Sequence, residues 1–159
     1  MEKELMFTEE NRNIEVLEFR AGGNTYGINI NDIREILPYD KEPRKIPNSH
    51  PCIEGVIKPR DFIIPIIDLV AGLKLEDVDN DKIERLIVAN INDMNIGFHV
   101  DKVDGIHRTS TANIKKPGRK LSTSIKGAIS GILVIDDKKI ELLDIRNIIK
   151  EINPNVNFE

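Results

Sequence analysis

Tryptophan is absent from the 159 residues, and the only other aromatic side chains are two tyrosines and five phenylalanines. A core with so few large rings has to be filled by Ile, Val and Leu, and β-branched residues pack more readily on a pleated sheet than on a helix. The single cysteine, Cys52, cannot form an internal disulfide. The opening stretch MEKELMFTEENRN lacks the basic tip and apolar run of a secretory signal, so a cytosolic protein is expected. The longest nearly apolar run, 62–73, contains Asp68 and is far shorter than the roughly 20 residues a spanning helix needs. CxxC, HExxH and a glycine loop ending in Lys-Ser or Lys-Thr are also missing. Only His50 stands near Cys52, while His99 and His107 are remote from it in sequence. With no nucleophile beside a base, the expectation is a protein that is not an enzyme and holds no metal and no cofactor.

What the chain does have is 40% hydrophobic and 31% charged residues, enough apolar surface to bury a core and argue against disorder. The net charge of −4 opposes a nucleic-acid protein, yet the charges are uneven. Between Asp104 and Asp136 stand Arg108, Lys115, Lys116, Arg119, Lys120 and Lys126 with no acidic residue among them. No aromatic accompanies them to stack on a base. A solvated basic loop, docking against an acidic protein surface, and nucleic-acid binding through 108–126 are the alternatives that this stretch leaves open. The acidic group Glu76, Asp77, Asp79, Asp81 lacks the glycine and closing glutamate of a calcium loop and reads as a solvated connection.

Alternation and turn residues predict strands over 14–19 and 25–30 around the turn 21–24. A short helical turn is expected over 33–37, capped by Asn31-Asp32 and ended by Pro38. An irregular proline-rich connection follows to Pro51, then strands over 53–57 and 62–67, the latter apolar on both faces. Pro65 lacks an amide hydrogen, which predicts an edge or a bulge there. Asp68 should cap a short helix to Lys74. Hairpin turns are expected at 92–95 and 136–138, joining strands over 86–91 with 96–100 and 125–135 with 139–143. An amphipathic helix over 144–152 is stopped by Pro154. Cys52 reads as a small buried hydrophobe. His99, out of phase with Ile96, Phe98 and Val100, is expected on the opposite face, in solvent or paired across strands.

Three segments recur in order. Tyr26-Gly-Ile-Asn-Ile-Asn-Asp-Ile33 matches Ile96-Gly-Phe-His-Val-Asp-Lys-Val103, Ile53-Glu-Gly-Val-Ile57 matches Ile125-Lys-Gly-Ala-Ile129, and Pro65-Ile-Ile-Asp-Leu69 matches Glu141-Leu-Leu-Asp-Ile145, at offsets of 70, 72 and 76 residues. A duplicated β unit is implied. Each half alone would bury too little surface to be stable, so the two should share an apolar seam.

Ile33-Arg-Glu-Ile36, Ile53-Glu-Gly-Val-Ile-Lys-Pro-Arg60 and Ile64-Pro-Ile-Ile-Asp-Leu69 together resemble the CheW-like coupling domain, with its V-x-E-I turn, G-V-x-N-x-R-G segment and P-V-I-D-L strand. Lys58-Pro59 and Asp61 depart from that pattern. With Asn48-Ser-His-Pro51 and Glu151-Ile-Asn-Pro154 they look more like the coupling half of CheV proteins, which carry a receiver domain beyond it. The resemblance implies a mainly β fold, two intertwined SH3-like five-stranded β-barrel lobes with short helices. In that reading 1–13 is a polar lead-in, 14–152 is the domain, with lobes of about 14–82 and 83–152 whose strands can be exchanged, and 153–159 is a tail or linker start. It also implies an adaptor joining methyl-accepting chemoreceptors to the regulatory domain of the histidine kinase CheA. Such an adaptor would be cytoplasmic and recruited to membrane-associated receptor arrays, with no nucleic acid and no membrane insertion. By residue match its receptor groove would be Ile33, Glu35, Ile36, Arg60 and Val103, with the kinase contacted around Ile53, Glu54, Gly55 and Val56.

Overall fold

Residues 11–78 and 82–153 are described by a computed structural model of the chain; the ends of the lead-in and tail, and Asp79 and Asp81 of the acidic connection, lie outside them. β1 (Asn13–Ala21) and β2 (Asn24–Asn29) form the first hairpin. β3 is Ile33–Pro38, β4 Ile53–Ile57 and β5 Ile64–Asp68, followed by the short α1 (Leu69–Gly72). β6 (Arg85–Ile91) and β7 (Met94–Val100) form the second hairpin, and β8 (Lys102–Ser110) leads to the two-residue β9 (Ile114–Lys115). β10 (Ile129–Ile135), β11 (Lys138–Leu143) and α2 (Ile145–Ile152) complete the order. The hairpin turns Asn92-Asp93 and Asp136-Asp137 have positive φ at both residues, the geometry that a two-residue β-turn needs and that Asn and Asp tolerate. Asp68 and Asp144 cap the two helices, accepting from the amides of Ala71 and Asn147, which satisfies donors left free at a helix start.

The strands assemble as β8-β1-β2-β11-β10-β9 and β3-β6-β7-β5-β4. Neither sheet belongs to one half of the sequence. The fold is mainly β with two sheets and few short helices, one sheet having six strands rather than five because Ile114–Lys115 pairs with β10. The ladders of β4 with β5 and of β10 with β11 are the same ladder 76 residues apart: Ile53↔Ile67 and Gly55↔Ile66 become Ile129↔Leu143 and Gly131↔Leu142. This corrects the middle match of the repeat. Ile53-Glu-Gly-Val-Ile57 corresponds to Ile129-Ser-Gly-Ile-Leu133, not to 125–129, because Gly127 turns at φ +78° beside Asn147 and the strand starts only at Ile129. The β3–β6 and β8–β1 ladders likewise correspond at 70 residues, with Ile33↔Ala89 matching Val103↔Phe19.

Two further expectations give way. The helical turn lies at Ile30–Asp32, capped by Asn29, and 33–38 is extended because it pairs with β6 across sequence. β5 is an interior strand, but Pro65 is paired on one side only, to Val56, and the parallel ladder with β7 starts at Ile66; the missing amide therefore falls at a local edge. β8 carried no clear alternation, with Gly105, His107 and Arg108 in its middle, and is held by its pairing to β1.

The largest buried cluster is the seam between the sheets, where Phe19, Tyr26 and Ile28 meet Ile87, Phe98 and Val100, closed by Ile145, Ile148 and Ile149 of α2. Smaller clusters fill each sheet's other side, Ile64, Ile66, Leu86 and Val88 in one and Val16, Leu133 and Ile140 in the other. Gly27 and Gly97 are required by close packing: a Cβ on either would stand 2.6 Å from Val16 Cγ1 or Ile66 Cδ1. Because the seam is common to both sheets, they should unfold together. Phe98→Ala is expected to cost about 3–5 kcal/mol while keeping one cooperative urea transition; two separated transitions would show that the sheets are independent.

Candidate functional site

Among the described residues β3 pairs with β6 alone and is an edge strand, a position from which strands commonly contact other chains. Glu35 on β3 and Arg60 ahead of β5 form an ion pair, with side chains 22% and 52% exposed. At that exposure the pair is worth only about 0.2–1 kcal/mol, so a partner can compete for either member at little cost. The Arg60 and Arg34 guanidinium groups stand 5.7 and 4.7 Å from the centre of the Phe62 ring, and Arg34 Nη1 donates to Asn95 Oδ1 at 3.3 Å. Next to Phe62 opens a groove of about 450 Å³, with Ile53, Pro65 and Ile67 on one wall, Met94 and Ile96 of β7 on another, and Ile149 and Ile152 of α2 closing it. Ile63 and Met94 at its rim are 61% and 36% exposed. An apolar groove beside an arginine, a phenylalanine and exposed aliphatics has the composition of a protein-binding surface.

None of the five residues expected at the receptor groove lines this hollow; of them, Glu35 and Arg60 pair with each other, and Arg60 lies beside its Phe62. Ile36, beside Glu35, is 39% exposed. Ile33 and Val103 are equivalent residues at the starts of β3 and β8, both packed against the seam; Val103 lies on the other sheet from Arg60. Of the stretch assigned to the kinase, Ile53 lines the groove, while Glu54 turns to His99. Gly55 lies against the Arg44 backbone, and Val56 exchanges two 2.8 Å hydrogen bonds with it. Asp61 sits outside the left-handed region, so aspartate is accommodated where the family pattern has glycine. Arg34, Phe62, Met94 and Ile152 were not singled out in the sequence. The available signal was Ile63, apolar where alternation with Ile64 calls for a polar residue.

His99 does face away from Phe98, but into a half-buried cluster. Its Nδ1 meets Glu54 and its Nε2 meets Glu84 at 3.0 Å. Tyr39 stacks on the imidazole at 3.7 Å, and its hydroxyl donates to Glu54 at 2.5 Å. A carboxylate at both nitrogens favours the charged ring, in which both nitrogens donate. Burial alone would lower the His99 pKa, but the bonds and charges of Glu54 and Glu84 outweigh it and raise it; burial would raise Glu54, and the bonds from His99 and Tyr39 hold it below its usual range. A comparable arrangement holds the buried Glu18, where the bonds from Lys138 and His107 outweigh burial and lower its pKa.

Cys52 is half-buried rather than buried, and burial, with Asp68 nearby, raises its thiol pKa, away from a reactive thiolate. His50 Nδ1 accepts from the Cys52 amide at 3.0 Å. Among the described residues no group of three or more His, Cys, Asp or Glu could hold a metal ion, and no helix is long and apolar enough to cross a membrane.

The family model described as a CheW-like domain matches residues 15–153. The chain is 32% identical over 138 residues to a probable chemotaxis protein CheW from Rhizobium etli, covering 86% of this chain and 88% of that protein. It is 30% identical over 155 residues to chemotaxis protein CheV3 from Helicobacter pylori, covering 89% of this chain and 49% of that protein. Its fold superimposes on the crystal structure of the scaffolding protein TtCheW from Thermoanaerobacter tengcongensis with a TM-score of 0.79, at 26% identity over 93% of this chain and 97% of that one.

The His99 cluster has a defined pH signature. A raised histidine pKa gives stability that is complete below about 6.5 and is lost as pH rises through the raised value; a lowered glutamate pKa gives stability complete above about 4.3 and lost as pH falls through the lowered one. The difference in urea midpoint between the wild type and His99→Gln should therefore be largest between those two values and shrink above neutrality. A difference that stays constant from about pH 5.5 to about pH 9 would contradict a charged His99.

Proposed function

The chain belongs to the CheW-like domain family, and from that premise we propose that it is a non-catalytic adaptor of bacterial chemotaxis, holding chemoreceptors and the histidine kinase CheA in one signalling assembly. Its relatives named CheW and CheV are chemotaxis proteins, and its structural neighbour is a scaffolding protein. The observation that carries the reading to a mechanism is the apolar groove whose Phe62 lies beside Arg60, the partner of Glu35. A groove of this kind accepts the apolar face of a helix or the alternate side chains of an extended segment.

In this reading the receptor's cytoplasmic tip occupies the groove. Glu35, Ile36 and Arg60 meet it at the rim, and Ile33 and Val103 brace the two edge strands from the seam. The regulatory domain of CheA docks along the edge strand β4, at Ile53, Glu54, Gly55 and Val56. Ile53 belongs to both contacts, so a receptor-driven shift in the groove reaches the kinase-facing strand directly. The adaptor works in the cytoplasm and is recruited to membrane-associated receptor arrays through the receptor. The nucleic-acid alternative loses support because two of the six basic residues stand apart from the other four, which have no aromatic side chain beside them. Arg108 pairs with Glu15 at the edge of β8, and Lys126 lies beside Asn147 of α2, away from Lys115–Lys120.

Calorimetric titration of the chain against the isolated CheA regulatory domain from the same organism is expected to give saturable one-to-one binding. Failure to bind by a folded sample would reject the adaptor role. Against a receptor cytoplasmic fragment, Arg60→Glu and Met94→Asp should each weaken binding about tenfold or more, about 1.4 kcal/mol; receptor affinity unaffected by both substitutions would reject the groove assignment.

A further inference from the structure

The exchange that relates the two sheets also relates their surfaces. The apolar groove is bounded by the β6–β7 turn and by β5, and the equivalent elements of the other sheet are the β1–β2 turn and β11. Through the shared registers, Asp93, Met94 and Asn95 correspond to Gly23, Asn24 and Thr25, while Ile63 and Pro65 correspond to Lys139 and Glu141. At that equivalent place the chain has a second concavity, of about 830 Å³, with a different chemistry. Its walls carry Lys115, Lys116, Arg119, Lys120 and Lys139, all exposed.

No carboxylate of the described residues pairs with any of these five, whereas Arg20, Arg60, Lys82, Arg108, Lys138 and Arg146 each have at least one. The single carboxylate of the wall, Glu141, is occupied by the amide of Ser122 at 3.0 Å and by its hydroxyl. The basic arch is also pinned. Lys115 is laddered to Ile132 at one end; at the other, Ser122 Oγ is 2.6 Å from the buried Tyr26 hydroxyl, and Thr123 Oγ1 donates to the Leu73 carbonyl at 2.6 Å. Between these anchors the floor is apolar, formed by Leu121, Ile132 and Val134.

A net charge of −4 makes five unpaired cations around one fixed hollow a specific feature rather than general surface solvation. We propose that this concavity is a second docking surface, for an acidic segment of a partner protein that carries apolar side chains among its carboxylates. The cations select the charge and the apolar floor selects the interspersed side chains, with attraction extending about 10 Å at 0.1 M salt. No aromatic side chain lines the hollow to stack on a base, and its concave shape suits a narrow peptide better than a flat lipid surface.

The test uses the full chain and a labelled peptide of about eight alternating Glu and Leu residues, roughly 26 Å when extended. Saturable binding is expected, weakening as salt rises, with amide shifts confined to 115–121, 132–134 and 139. The triple variant Lys116→Glu/Arg119→Glu/Lys120→Glu should bind on the order of tenfold more weakly or worse, as should Lys139→Glu on β11, with amide spectra otherwise unchanged. Arg60→Glu should bind the peptide as the wild type does, which separates this surface from the receptor groove. Overturning results would be no saturable binding, equal affinity in the charge-reversed variants, or tighter binding of a single-stranded oligonucleotide or of anionic phosphatidylglycerol vesicles than of the peptide.

Discussion

Everything in this structure depends on one apolar seam that neither sheet can form alone. β1 and β2 of the first half join strands of the second half, and β6 and β7 of the second half join strands of the first. The chain therefore crosses between the sheets twice, after β2 and after β7, and their facing surfaces bury Phe19, Tyr26, Ile87 and Phe98 against one another. Two units of this size folded separately would each bury too little surface to be stable. The exchange solves that problem, and as a consequence it places the edges of both sheets, β3 and β8, along the same seam.

The charged groups follow from that arrangement. Positions that face the seam are apolar, so charge is kept at the rims or paired in the smaller clusters on the outer faces. Glu18 lies between Lys138 and His107, and His99 lies between Glu54 and Glu84; each carboxylate is bonded because an unpaired buried charge is costly. The Arg60–Glu35 pair is among the exposed, weakly held ones, and its arginine lies beside Phe62 of the apolar groove. On the equivalent surface of the other sheet the cations have no carboxylate partner among the described residues, so one architecture presents two hollows of opposite character.

Much of this was legible from local pattern. The hairpins at Asn92-Asp93 and Asp136-Asp137, the caps Asp68 and Asp144 and the helix 145–152 rest on short-range chemistry and stand where their residues put them. The duplication was visible too, although Gly127 imitated Gly131 and displaced one match by four residues, because a turn glycine and a bulge glycine look alike in sequence. The segment 33–37 read as helical from its local pattern, which pairing with β6, far away in the chain, outweighs. In the site, Glu35 and Arg60 were both expected at the receptor groove, but the groove's walls were not: they come from 53, 62–67, 94–96 and 149–152, and periodicity within one segment says nothing about which segments converge.

The amino-acid sequence by itself determined the β-rich core, the turn positions, the helix caps, the doubling of one β unit and the family, since each is written in residue types at short or regular spacing. Tertiary structure alone decided which half supplies which strand, that His99 lies between two glutamates, and that Met94 and Ile152 share a groove with Phe62 while Lys139 joins Lys115–Lys120. The reason is physical. Spacing along the chain specifies a local element, but the contacts between elements are chosen by how much apolar surface the whole chain can bury at once, and only the exchanged pairing of the two sheets buries the seam.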